Sequence, residues 1–210
     1  METIFITGIG TGIGKTLISA IVAEALDADY WKPIQAGTEG NTDSQSVKNW
    51  LTNGNKRVHQ ELYLLAQPAS PHIAARSQNL QISIQKICEA VPRNNRNLII
   101  EGAGGLMVPL NDNEFVADLI TALKCRVIMV SRNYLGSINH SILTATVARQ
   151  KKFDVLGWMF NDQYLDYENE IVKWSQYQKL GSVPFSASLT AAFVAEQANN
   201  LKEQLTTTIC

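Results

Sequence analysis

The strand-forming segments of this chain are continuous apolar runs rather than alternating ones. Thr3–Thr7, Leu98–Glu101, Val127–Ser131 and Val155–Phe160 are built mainly from Ile, Val, Leu, Phe and Met. That composition suits strands covered on both faces. Shorter runs at Asp29–Pro33 and near Leu180–Val183 are predicted strands too. Helix-type segments alternate with them: Lys15–Leu26, Ser44–Leu51, Ser83–Val91, Phe115–Leu123, Ile138–Lys151, Asp166–Tyr177 and Leu189–Leu205. The alternation predicts a three-layer α/β fold around a mainly parallel sheet. Ligands in such folds collect beyond the carboxyl ends of the strands, so the residues that follow each strand are the candidates for chemistry.

The first run leads into Gly8, Gly10, Thr11, Gly12, Ile13, Gly14, Lys15 and Thr16, and helix-forming sequence begins at once from Leu17. Strand, glycine-rich turn, Lys-Thr and helix is the context of a phosphate-binding loop. Glycines let successive N–H groups face an anion, and the following helix dipole favours the same charge. Lys15 can reach the outer phosphates, and the Thr16 hydroxyl can ligate Mg²⁺. Five residues separate Gly8 from Gly14, one more than in the common motif.

The second run ends in Trp31-Lys32-Pro33. It puts Lys32 where it can reach a phosphate or a developing negative charge, unless it is simply a solvated edge lysine. Asp43 precedes a predicted helix, and either an N-cap role or a Mg²⁺-binding role beside Thr16 is open to it. Pro68–Arg76 reads as a rigid turn into a helix with Pro71 in its first turn. His72 within it is a candidate acid or base, with a structural hydrogen bond as the favoured role. Glu101 leaves a buried strand and enters Gly102-Ala103-Gly104-Gly105. An unpartnered buried carboxylate is costly, which points to a metal or a phosphate-bound water as its partner. Ser137 is the predicted N-cap of the Ile138–Lys151 helix, whose start would suit a carboxylate or phosphate. Asn161 can offer a donor and an acceptor side by side to an adenine edge. Asp162 begins a turn, and Val183-Pro184-Phe185-Ser186 is an extended loop able to frame a base.

Composition narrows the setting. With 210 residues, 45% hydrophobic and 18% charged, the chain is expected to form one domain, residues 1–210. A net charge of −1 gives no electrostatic case for nucleic acid or membrane as partner. Cys88, Cys125 and Cys210 are odd in number and widely spaced, which suggests reduced thiols in a cytoplasmic protein. No signal peptide or membrane-spanning run is expected.

The ordered set Thr7–Thr16, Lys32–Gly37, Asp43, Pro68–Ala75, Glu101–Leu110, Leu135–His140 and Gly157–Asp162 resembles the dethiobiotin synthetase family. The extended phosphate loop is the form that this family uses. The resemblance implies a three-layer P-loop NTPase fold and an ATP- and Mg²⁺-dependent ligase. Such an enzyme joins 7,8-diaminononanoate and CO₂ (as bicarbonate) to form dethiobiotin, ADP and phosphate. It implies that one amine becomes a carbamate, that the carbamate takes the γ-phosphate, and that the second amine closes the ureido ring. By the same resemblance, Thr16, Asp43 and Glu101 hold Mg²⁺, and Lys15 and Lys32 are catalytic, with Lys32 bridging carbamate and γ-phosphate. Thr11, Gly12, Ile13, Gly14, Lys15 and Thr16 bind the phosphates, and Asn161, Asp162, Pro184, Phe185 and Ser186 form the base site. Gly104, Ser137, Ile138 and Asn139 join Lys32 in binding substrate. In the family the Ser137 region comes from a neighbouring subunit, which implies a homodimer.

Ala36 stands where many relatives carry a substrate-contacting Ser or Thr, so that role is not carried over. Two other readings use the same loop. A cobyrinate-type amidoligase usually brings a glutaminase domain, for which this length leaves no room. A ParA/MinD-like switch ATPase typically has an additional lysine early in the loop, and none precedes Lys15 here.

Overall fold

Each long apolar run folds as a strand of a parallel sheet. The computed structural model describes residues 1–93 and 95–209. In chain order the elements are β1 (Thr3–Gly8), α1 (Lys15–Ala25), β2 (Asp29–Trp31), β3 (Ile34–Ala36), α2 (Asp43–Trp50), α3 (Gly54–Arg57), β4 (Val58–His59), β5 (Tyr63–Leu65), α4 (Pro71–Ser77), α5 (Ile84–Glu89), β6 (Leu98–Glu101), α6 (Val116–Leu123), β7 (Arg126–Arg132), α7 (Ser137–Gln150), β8 (Val155–Asn161), α8 (Tyr167–Ser175), β9 (Lys179–Val183) and α9 (Ala191–Ile209). The main sheet has the order β4-β2-β6-β1-β7-β8-β9, and every pairing in it is parallel.

The expected helices all form, with ends shifted by a few residues except at the last, which runs on to Ile209. The predicted strand Asp29–Pro33 is the main departure. It stops at Trp31, and the chain restarts as β3, which pairs with β5 in a separate two-stranded parallel sheet. Pro33 explains the break. It has no N–H for a ladder, and its carbonyl instead accepts from Leu62 and Tyr63.

Two apolar layers cover the sheet. Phe5, Trp31, Ile100, Met129, Trp158 and Phe160 face one layer. Ile4, Ile6, Tyr30, Ile99, Ile128 and Val130 face α1 and α9 on the other. Neighbouring residues of one strand thus serve opposite faces. In β8 a register irregularity against β7, where Val127 pairs with Val155 but Ile128 pairs with Gly157, interrupts that alternation. Leu156 and Met159 therefore share a face although three residues apart. Full burial of each such side chain stabilises by about 1.5–3 kcal/mol.

The chain steps from β1 to β2 on one side and, after β6, crosses to β7 on the other. That reversal opens a crevice at the carboxyl end of β1, where the phosphate loop begins. Cys88 and Cys125 are unbridged, and burial pushes the Cys125 thiol up to about 12. Cys210 lies outside the described residues. No helix among the described residues is long and apolar enough to cross a membrane.

Candidate functional site

A cavity of about 650 Å³ opens at this crevice. The phosphate loop supplies Thr11, Gly12, Gly14, Lys15 and Thr16, and the ends of β2 and β6 supply Lys32 and Glu101. Asp43, Gly104 and the Pro68–Pro71 turn close it.

The loop's last glycine is forced by geometry. Gly14 is the N-cap of α1 at φ 89°, a backbone state that side-chain-bearing residues disfavour. A Cβ there would also lie 2.1 Å from Asn161 Nδ2. Asn161 donates to the Ile13 carbonyl at 3.2 Å, which ties the loop to the end of β8. The Ile13 side chain points into the α1-side core and does not line the cavity.

Four polar side chains meet behind the loop. Lys32 Nζ lies 2.7 Å from Glu101 Oε1 and 2.5 Å from Asp43 Oδ2. The Thr16 hydroxyl donates to Glu101 Oε1 at 3.0 Å. Lys32 and Glu101 are buried, while Asp43 keeps about a third of its side chain exposed (35%). Lys15 turns back to donate to the Gly10 carbonyl at 2.5 Å.

Charge and burial compete at each group. Burial pulls the Lys15 ammonium down; the Glu101 carboxylate opposes this, Lys32 adds to it, and the result is about 8. Burial also works against a charged Lys32, but Glu101 and Asp43 outweigh it and raise its pKa above the usual lysine range. For Asp43, burial pushes upward, yet the neighbouring Lys32 ammonium wins and holds the carboxyl below its ordinary value.

The structure separates the alternatives left open for Asp43. Thr42, not Asp43, caps α2: its hydroxyl accepts from Gln45 N at 3.2 Å, and Gln45 Oε1 accepts from Thr42 N at 2.9 Å. The Asp43 side chain is left to face Lys32. Similarly, Ser137 is not the N-cap of α7. Gly136 holds that place in a left-handed conformation (φ 104°) that suits glycine. Ser137 is the first helical residue, fully buried, and its hydroxyl oxygen accepts from Tyr134 N at 3.3 Å.

The residues assigned to the base do not line the cavity: Asn161 ends β8, and the others follow β8 and β9. Asp162 pairs with Arg132 at 2.6 Å, and its N–H donates to the Val183 carbonyl. Pro184 and Phe185 are exposed, and Ser186 donates to Ser188 O at 2.7 Å. Ser137, Ile138 and Asn139 also stand apart from the cavity, with Asn139 exposed. His72 keeps to a structural contact, 3.1 Å from Ser70 Oγ through Nδ1.

Two residues at the site escaped sequence reasoning. Tyr30, fully buried, donates to Glu101 Oε2 at 2.8 Å. Gln35 lines the cavity and accepts from Asp43 N at 3.3 Å while donating to Gly37 O at 3.0 Å. A signal for Tyr30 is its position two residues before Lys32, on the same strand face.

The donor set suits Mg²⁺. Among the described residues there is no cluster of three or more His, Cys, Asp or Glu side chains. Two carboxylates instead share one ammonium, with the Thr16 hydroxyl on one of them, and Mg²⁺ is commonly held by one or two carboxylates together with substrate phosphates. Lys15, Lys32, Asp43 and Glu101 sum to zero charge when ionised. A polyphosphate entering such a neutral site brings excess negative charge, which a divalent cation held by these groups would offset.

Comparison with known proteins gives the same direction. A family model described as an AAA domain matches residues 2–192. The ATP-dependent dethiobiotin synthetase BioD of Cytophaga hutchinsonii is 45% identical over 202 residues, covering 96% of this chain and 97% of the relative. That of Christiangramia forsetii is 42% identical over 205 residues, covering 97% and 98%. Among solved structures, a ParA family ATPase from Chlorobium tepidum TLS is similar with a TM-score of 0.61 at 13% identity, over 98% of this chain and 96% of that one. The cell division ATPase MinD of Pyrococcus furiosus gives 0.59 at 13%, over 97% and 99%. At such identities the likeness to ParA and MinD is one of fold alone. The identity to the synthetases extends along almost the whole sequence, and the chain belongs to the ATP-dependent dethiobiotin synthetase family.

Proposed function

We propose that this chain is an ATP- and Mg²⁺-dependent ligase that closes the ureido ring of dethiobiotin from 7,8-diaminononanoate and CO₂, acting as one domain in the cytoplasm. The observation that carries the reading is the pairing of Glu101 and Asp43 with Lys32 behind the phosphate loop, with the Thr16 hydroxyl donating to the same Glu101 carboxylate. One amine of the substrate takes up CO₂ as a carbamate. A carbamate oxygen attacks the γ-phosphorus, and ADP leaves. The second amine attacks the carbonyl of the resulting carbamic–phosphoric anhydride, and phosphate departs with the oxygen that bound it.

The chain's own groups meet the demands of that sequence. An oxyanion must approach a polyanion, so positive charge has to lie between them. Lys32 bridges the carbamate and the γ-phosphate, and Lys15 leaves the Gly10 carbonyl for the outer phosphates. Thr11 and the backbone of residues 12–15 cradle the phosphate chain. Thr16, Asp43 and Glu101 would hold Mg²⁺, whose charge offsets that of the triphosphate. Asn161, Asp162 and the Pro184–Ser186 loop receive the base, and Gly104 borders the substrate.

The start of α7 receives the substrate carboxylate across a homodimer interface. An apolar groove beside it, lined by Leu106, Met107 and Leu143, leaves Met107 and Leu143 half exposed, which supports a second copy as its cover. Leu143→Glu is expected to give a monomer in sedimentation with a raised KM for the diamine; a dimer with unchanged KM would remove this part of the reading.

The direct assay follows phosphate release from Mg²⁺ and ATP with and without diamine and bicarbonate, with mass detection of product. Release that depends on the diamine and yields a product one water lighter than the carbamate is expected. Diamine-independent hydrolysis without new product would contradict the reading.

A further inference from the structure

Tyr30 stands in a place that the ring-closing chemistry leaves unexplained. In the parallel register Tyr30 lies opposite Ile99. Tyr30 on β2 and Ile99 on β6 look the same way, toward α1, and Glu101, two residues after Ile99, shares that face. The tyrosine side chain reaches one step along the sheet, and its hydroxyl donates to Glu101 Oε2 at 2.8 Å. The other carboxylate oxygen, Oε1, takes both Thr16 and Lys32. Glu101 is therefore gripped from two sides with distinct roles. A buried neutral donor fixes Oε2, and Oε1 alone is presented toward the cavity and the cations.

Tyr30 and Glu101 are both inaccessible to solvent, at 0% and 1%. Water cannot readily replace the hydroxyl if it is removed. Tyr30 belongs to the same apolar cluster as Val47, Ile99 and the α1 side chains, where packing alone does not call for a hydroxyl. The phenolic oxygen is what needs explaining, and Glu101 Oε2 is the partner it meets.

We propose that Tyr30 is a positioning residue that orients the Glu101 carboxylate so that Oε1 faces the metal site. The proposal rests on Glu101 holding Mg²⁺ in the reading above. Hydrogen bonds that orient metal ligands typically contribute about 10–100-fold in metal affinity or activity. Removing only the hydroxyl should therefore weaken the response to Mg²⁺ while leaving nucleotide recognition by the loop untouched.

The test is a titration of fluorescent ADP against the parent chain, Tyr30→Phe and Tyr30→Met, in EDTA and across Mg²⁺ concentrations. Melting temperatures of the unliganded proteins are recorded alongside. In the parent chain Mg²⁺ should tighten ADP binding; if it does not, the metal reading of Glu101 fails, whatever Tyr30 does. Given that tightening, both variants should bind ADP in EDTA within about twofold of the parent and need about tenfold more Mg²⁺ for half-maximal tightening. An unchanged Mg²⁺ midpoint in a folded variant would overturn the proposal. Equal weakening of ADP binding with and without Mg²⁺ would do the same, since that is the signature of a structural role only. The Met variant keeps the test decisive should the Phe variant fold poorly. In a Glu101→Gln background, Tyr30→Phe should add no further shift, and an additive shift would also count against the proposal.

Discussion

The two ends of the proposed nucleotide site differ in construction. At the phosphate end, Lys15, Lys32 and Glu101 are buried, and their charged atoms are already paired with one another or with backbone. At the base end, Pro184 and Phe185 are exposed, and Asp162 sits in a left-handed conformation beside a half-exposed Arg132. The first is preorganised by strand ends in a low-dielectric interior, where electrostatic interactions are strong. The second is assembled from loops, anchored mainly through Asn161 and the carbonyl of Val183. If the proposed site is right, rate should depend on the phosphate end, and affinity and base preference on the other.

The strongest way to break that contrast is Lys32→Ala. Turnover should fall by about 10²–10³-fold, with nucleotide affinity retained. Removing the ammonium leaves Glu101 without its buried partner, so the unliganded melting temperature should also fall, in line with a cost of about 3–5 kcal/mol. Near-normal turnover would take Lys32 out of the mechanism. Next in size, Glu101→Gln should raise the Mg²⁺ requirement by about 10-fold or more without unfolding the chain; metal-titrated turnover identical to the parent's would contradict the assignment of that carboxylate.

At the base end the expected effects are smaller. Asn161→Ala should raise the KM for ATP by about tenfold and narrow the preference for ATP over GTP, since it removes hydrogen-bonding groups and loosens the loop at the Ile13 carbonyl. A change confined to kcat would instead place Asn161 with the catalytic end.

The last sharpening uses protons. Lys15 titrates near 8 in the empty site, chiefly because burial disfavours its charge. A polyphosphate favours the charged form, so nucleotide binding between about pH 8 and 9 should take up a fraction of a proton, and the uptake should vanish below about pH 7. Calorimetry in buffers of different ionisation enthalpy reads this directly, and Lys15→Met should abolish it. The linked stability effect has a definite sign. Between the folded pKa near 8 and the usual 10.5, the unfolded chain binds more protons at this residue, so its contribution makes stability rise with pH across that window.

Much of the phosphate end was legible because each of its side chains ends an apolar run. Lys15 and Thr16 close the loop after β1, Lys32 follows β2, and Glu101 closes β6, so a parallel sheet gathers them beyond its carboxyl edge. Asp43 was ambiguous, although Thr42 and Gln45 carry the spacing of a capping box, which frees the aspartate. The β3–β5 sheet was hidden because each strand is only three residues long, too short for periodicity to register. Tyr30 was hidden for a different reason: a tyrosine in an apolar strand reads as core until the register against β6 shows what its hydroxyl touches. Residues that act across subunits, as proposed for Ser137, Ile138 and Asn139, leave no trace in the packing of one chain.

The central claim is that a carbamate oxygen, held by Lys32, attacks the γ-phosphorus. Supplying bicarbonate with isotopically labelled oxygen in unlabelled water, with diamine, Mg²⁺ and ATP, tests it most directly. Phosphate released with dethiobiotin should carry one labelled oxygen, transferred when the anhydride collapses. Unlabelled phosphate accompanying dethiobiotin whose ureido carbonyl has kept the label would mean that the phosphoryl group never bonded to the carbamate, and would rule the step out.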